Sequence, residues 1–135
     1  MTILACEVSL HAQPASATLG DDNRLALPAD WAAAPWQRTF DDALDALGQL
    51  PRLYTEPDGS FVWTSPEGEP RWQLFGCLYD RGAELAYVDL FGTCDSWALA
   101  QLLDGCRGTS PLMIQQRAAG WFVPETLFLR GNSAS

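Results

Sequence analysis

The sequence predicts one α+β domain organised on an antiparallel meander. Three observations carry that prediction. Residues 71–79 and 84–92 are two long runs of aromatic, β-branched and other apolar residues separated by Asp80-Arg81-Gly82-Ala83, which reads as a hairpin. Two shorter runs, near 52–56 and 60–65, precede it and are joined by turn residues. Two segments, near 39–48 and 95–105, instead space their apolar residues with helical period.

At the N-terminus, residues 2–11 alternate: Leu4, Cys6, Val8 and Leu10 share one face, and Glu7, Ser9 and His11 the other. That is the pattern of a half-buried strand, with His11 exposed on its polar side. Residues 12–24 have loop composition. Residues 25–37 carry Trp31 and Trp36 between prolines and read as an irregular segment, with one short helical turn, that lays two indoles on the core.

Thr39 can cap the helix at 39–48, where Asp41 and Asp42 fall in the first turn and Phe40, Leu44 and Leu47 form the apolar stripe. Gly48 and Pro51 end it. The strand at 52–56 turns at Glu56-Pro57-Asp58-Gly59, with proline at i+1 and glycine at i+3. The strand at 60–65 runs out to Pro66-Glu67-Gly68-Glu69-Pro70, and the long hairpin follows.

With Arg81-Gly82 as a two-residue loop, counting places Leu78 opposite Leu85, Gly76 opposite Tyr87, Leu74 opposite Asp89 and Trp72 opposite Phe91. Tyr87 would then cover Gly76. Both faces come out apolar, so each should be covered. Asp95 caps a helix near 95–105 whose Leu99, Leu102, Leu103 and Cys106 form one stripe, with Gly105 as the stop. The second cover is expected from elsewhere in the chain or from another subunit. Strands near 112–117 and 121–123 follow, the latter at an edge because Pro124 interrupts it. Leu127-Phe128-Leu129 is a last strand or turn. The domain is expected to span 1–130, with 131–135 a disordered tail.

Composition narrows the function classes. Seventeen carboxylates against eight arginines and no lysine give a net charge of −9. This argues against nucleic acid and anionic membrane surfaces and favours a basic partner. The cysteines (Cys6, Cys77, Cys94, Cys106) and the single histidine show no metal-ligand spacing, so neither a metal nor a cofactor is expected. Cys77 and Cys106 read as core residues. Without a leader pattern, a reducing cytoplasm is the expected setting. There is no phosphate-binding glycine loop, no Ser/His/Asp order and no dinucleotide fingerprint; no residue is assigned a catalytic role. Cys94, at a helix start, has the dipole in favour of a reactive thiol and Asp95 against it.

The candidate ligand- or partner-binding residues are Trp63, Trp72, Tyr87 and Asp89. In the counted register Asp89 lies among Leu74, Trp72, Tyr87 and Phe91, where a carboxylate needs a partner. It either serves structure, by capping a loop, bonding an arginine such as Arg71 or reaching solvent, or anchors a ligand in an aromatic cleft. Two functions follow. One is a non-catalytic, acidic protein-interaction module, adaptor or chaperone-like, whose apolar face meets a client or a second copy in a homodimer. The other is a small-molecule-binding protein or enzyme with an aromatic pocket around Asp89.

The order helix, strands, helix, strands in a small acidic chain is similar to that of type III secretion chaperones. Those chaperones carry a third helix that is not expected here, and residues 1–30 have no counterpart in them. A sheet wrapped round a pocket at Asp89 resembles in shape the cone-like folds of the nuclear transport factor 2 family, in which the helices come first.

Overall fold

The computed structural model describes residues 3–68 and 70–133. The beginning of the expected first strand at Thr2, Glu69 in the turn, and the end of the expected tail at 134–135 lie outside the described residues. Among the described residues the fold is α+β, with a seven-stranded antiparallel sheet, a small two-stranded sheet and three α-helices.

In chain order the elements are β1 (Ile3–Ala12), β2 (Thr18–Leu19), β3 (Leu25–Ala26), a 3-10 turn (Trp31–Ala33), α1 (Phe40–Gly48), β4 (Leu53–Thr55), β5 (Ser60–Thr64), β6 (Gln73–Arg81), β7 (Glu84–Asp95), α2 (Ser96–Arg107), β8 (Leu112–Gln116), β9 (Phe122–Pro124) and α3 (Glu125–Ser133). The large sheet runs β4-β5-β6-β7-β1-β8-β9. The four-strand meander therefore stands as predicted. The N-terminal strand inserts between β7 and β8, pairing antiparallel with both. Pro124 lies on the outermost strand, β9, where a missing N–H is tolerated.

Both expected caps form. The Thr39 side chain accepts from the Asp42 N–H at 3.0 Å, and Asp95 accepts from the Ala98 N–H at 2.7 Å; such caps contribute about 1 kcal/mol each. Leu99, Leu102, Leu103 and Cys106 are all fully buried, so the predicted stripe is the one that packs. Gly105 is not the stop. The helix continues through it to Arg107 and ends at Gly108, whose φ of +60° suits glycine. A third helix, α3, takes residues 127–129, where a strand or turn was expected, and its backbone runs on to Ser133.

The hairpin register differs from the counted one. Arg81 pairs with Glu84, so the loop is Gly82-Ala83, with Gly82 at φ +64°. A bulge follows, because Tyr79 pairs with Tyr87 while Asp80 pairs with Leu85, leaving Ala86 as the extra residue. Leu78 thus faces Val88, Gly76 faces Leu90, Cys77 faces Asp89, and Phe75 faces Phe91. The shift from the counted pairing is three residues, an odd number, so side chains once counted as neighbours lie on opposite faces. Asp89 is accordingly not beside Leu74 or Trp72. The aromatic that covers Gly76 is Phe61 from β5: a Cβ on Gly76 would stand 2.2 Å from the Phe61 ring.

One sheet face carries the core. Leu4, Cys6, Val8 and Leu10 of β1, Phe61 and Trp63 of β5, Leu74 and Leu78 of β6, and Val88 and Leu90 of β7 are buried there with α1 and α2. Trp36 joins this core and donates its indole N–H to the Cys106 carbonyl at 2.8 Å. Of the second cover, expected from elsewhere in the chain or from another subunit, the described residues of this chain supply only part. On the other face Phe75, Tyr79 and Phe91 are 37%, 39% and 58% exposed. Among the described residues, its β1–β8 end receives a cover from the segment carrying Trp31.

Candidate functional site

Period-two alternation decides which side chains meet on the open face. From β7 come Tyr87, Asp89 and Phe91; from β1, opposite them, Glu7, Ser9 and His11; from β6, Phe75, Cys77 and Tyr79. β8 adds Gln115, which pairs with Ser9 on one side and Phe122 on the other.

Over β6 and β7 the rings stack in two pairs, Phe75 with Phe91 at 5.1 Å and Tyr79 with Tyr87 at 4.4 Å between centroids. Cross-strand aromatic pairs of this kind stabilise a sheet by roughly 0.2–1 kcal/mol each. Cys77 lies between Phe75 and Tyr79, half-buried on this face instead of in the core as expected. Burial pushes its thiol up, and the charges of Asp58 and Asp89 add to the shift.

Towards β1 and β8 the patch leads into a hollow of about 510 Å³. Its floor is Ser9 and His11, its walls Trp31 and Tyr87, and its rim Asp89, Arg117 and Arg81. His11 is not the exposed residue its place on a terminal strand suggested. Because β1 is central, the strand's polar side faces other side chains, and His11 is enclosed by Trp31 at 5.2 Å, Phe122 at 5.3 Å and Tyr87 at 6.0 Å. The Ser9 hydroxyl lies 2.8 Å from His11 Nε2 and 3.4 Å from Gln115 Oε1. Burial lowers the imidazole pKa to about 4 against the opposing pull of Asp89, so at neutral pH the ring is uncharged.

At the rim, Asp89 is ion-paired with Arg117, the arginine just beyond β8. Arg71, the partner considered from sequence, does not fill that role. Asp89 holds the Arg117 guanidinium above its ordinary pKa. Arg81 donates to the Ala32 carbonyl at 2.8 Å and so fastens the Trp31–Ala33 turn to the end of β6.

Of the four residues singled out from sequence, Tyr87 and Asp89 line this hollow. Trp63 and Trp72 do not: they are 1% and 3% exposed, packed edge-to-face at 5.5 Å in the helix-side core. The four therefore do not form one cleft. His11, Ser9, Trp31 and Arg117 were missed. Alternation had placed Ser9 and His11 on one side of a strand, but only the strand's central position turns that side into a floor.

Cys94 is fully buried with its sulfur 3.9 Å from that of Cys6. Its contact with Cys6 and its burial push the thiol up, away from nucleophilic activation. Among the described residues no cluster of three or more His, Cys, Asp or Glu side chains is arranged to hold a metal ion, and no helix is long and apolar enough to cross a membrane. No protein-family model, curated protein or solved structure matches the chain.

Proposed function

We propose that this chain is a non-catalytic protein-interaction module, adaptor or chaperone-like, that docks a partner on the open face of β6 and β7. The observation that carries the reading is the exposed aromatic patch of Phe75, Tyr79 and Phe91 on a sheet whose other face is already filled. Ordered, stacked aromatics in water are a feature of binding surfaces. The charges beside the patch select the partner's chemistry. Asp58 and Asp89 act on Cys77 at its centre, and Glu7 and Asp89 on Arg117 at its border. The chain as a whole carries −9. A protein segment with apolar side chains next to lysine or arginine complements both features, whereas a second copy would add its own net charge of −9 to the complex. The reading includes a reducing compartment, which suits four free thiols.

The test is paired capture from the native host with wild type and a Phe75→Ser/Phe91→Ser variant that near-ultraviolet circular dichroism shows to be folded. A protein with a basic, apolar segment should be retained by the wild type and lost by the variant, with retention weakening as salt rises. Light scattering runs beside it: a wild-type dimer that the variant cannot form would reassign the face to self-association. Equal capture by both proteins removes the reading.

A second reading is favoured by the hollow. Aromatic walls with a few convergent polar groups are how small-ligand sites are built, and Tyr87 and Asp89 lie in it together. Here Asp89 acts with Arg117, since the two are already paired.

A further inference from the structure

The hollow beside Trp31 reverses the electrostatic character of the molecule. The chain has more than twice as many carboxylates as arginines, seventeen to eight. The hollow is lined by two arginines, Arg81 and Arg117, and one carboxylate, Asp89. Each guanidinium offers five N–H donors. Arg81 gives one nitrogen to the Ala32 carbonyl, and Arg117 gives one to Asp89, so both keep donors for a further acceptor. Glu7 also acts on Arg117 but does not line the hollow.

The other surfaces are mostly ring surface and polar groups bonded to one another. Trp31 and Tyr87 offer ring faces and edges. On the floor, His11 Nε2 and the Ser9 hydroxyl are bonded to each other, and the Gln115 amide donates to the Gly120 carbonyl at 2.9 Å. A ligand's body therefore meets ring surface, and the charged donors within its reach are the guanidinium groups at the rim.

We infer that this hollow binds an apolar carboxylate, its charged end held by the guanidinium groups of Arg117 and Arg81 and its body laid against Trp31 and Tyr87. Guanidinium and carboxylate match as a bidentate pair. The same chemistry is offered by a free aromatic or aliphatic acid and by the C-terminal residue of a peptide. The inference rests on the second reading above, that the hollow is a ligand site, and adds which ligand it takes. It does not depend on the aromatic patch docking a partner.

Calorimetric titration with three probes of one shape tests it: phenylacetate, phenylacetamide and 2-phenylethylammonium. Phenylacetate should bind about tenfold or more tightly than the other two, the difference expected for one good charged contact. Arg117→Gln should cut that preference severalfold, leaving what Arg81 supplies; Arg117 is half-exposed, so the variant should fold, and near-ultraviolet circular dichroism checks that it has. Asp89→Asn should tighten phenylacetate binding severalfold, because it releases Arg117.

If the amide binds as well as the acid, the hollow is a ligand site and the carboxylate inference falls. If none of the three binds, both fall. If the ammonium binds best and Asp89→Asn weakens it, Asp89 is the anchor and the inference is overturned. The source is separated by two peptides ending in phenylalanine, one with a free carboxylate and one amidated. Tighter binding of the free-ended peptide than of phenylacetate assigns a chain terminus. The reverse order assigns a small acid.

Discussion

Ser9 Oγ and His11 Nε2 stand 2.8 Å apart on one side of β1, and the three aromatic rings around His11 keep its imidazole neutral. The folded protein binds that proton only near pH 4, where an unperturbed histidine binds it near 6.5. The contribution of the neutral ring to stability is therefore complete above pH 6.5 and is lost as pH falls towards 4. Between about pH 7 and about pH 5.5, wild type should lose about 1 kcal/mol more unfolding free energy than His11→Gln. Urea titrations of both proteins at the two pH values measure this. Parallel losses would show that the ring is not held neutral.

Gly76 and Phe61 make a second prediction. A methyl at Gly76 would stand 2.2 Å from the Phe61 ring, which must then move. Gly76→Ala should cost about 1–3 kcal/mol through overpacking. Phe61→Leu made in the same chain should recover part of that loss, and the resulting double-mutant cycle should give a clear coupling energy. Additive effects would mean that the ring does not lie over the glycine.

Glu125 holds three groups at once. Its carboxylate accepts from Arg107 Nε at 3.0 Å and from the buried Leu112 N–H at 2.9 Å, and its contact with Arg107 is completed by a terminal guanidinium nitrogen. Glu125→Ala leaves the Leu112 N–H without an acceptor and should cost about 2–4 kcal/mol. Glu125→Gln keeps an oxygen for Leu112 and should cost clearly less. Denaturant midpoints of the two variants decide it.

The two faces of β7 should answer differently to truncation. Leu90 is fully buried, and its neighbour Phe91 is 58% exposed. Leu90→Ala should cost about 2–5 kcal/mol, and Phe91→Ser about 1 kcal/mol or less, the loss of one cross-strand aromatic pair. Comparable losses would mean that the open face is covered in solution.

Much of the fold is legible in local sequence. The caps at Thr39 and Asp95 and the stripe of Leu99, Leu102, Leu103 and Cys106 lie within one element each, and the structure repeats them. The meander also reads correctly, since its strands are consecutive and its turns carry their own glycines. The C-terminal helix does not read from sequence, because Leu127-Phe128-Leu129 is an uninterrupted apolar run, a pattern that short helices and strands share. Of the residues singled out, Tyr87 and Asp89 line the hollow, while Trp72 was grouped with them through a register that ignored the bulge at Ala86 and Trp63 through an expected curvature of the sheet.

The amino-acid order by itself determined the first two helices and where they begin, the strands of the meander and β1, and that one side of the sheet is packed. Those properties arise from contacts between residues a few positions apart. Tertiary structure alone decided that β1 lies between β7 and β8, that one bulged residue sets the partners of the long hairpin, and that His11 and Ser9 face Trp31, Asp89 and Arg117. Strand neighbours are joined by hydrogen bonds between distant parts of the chain, which no local pattern encodes. Because side chains alternate every second residue, an odd shift in that pairing changes which groups share a face.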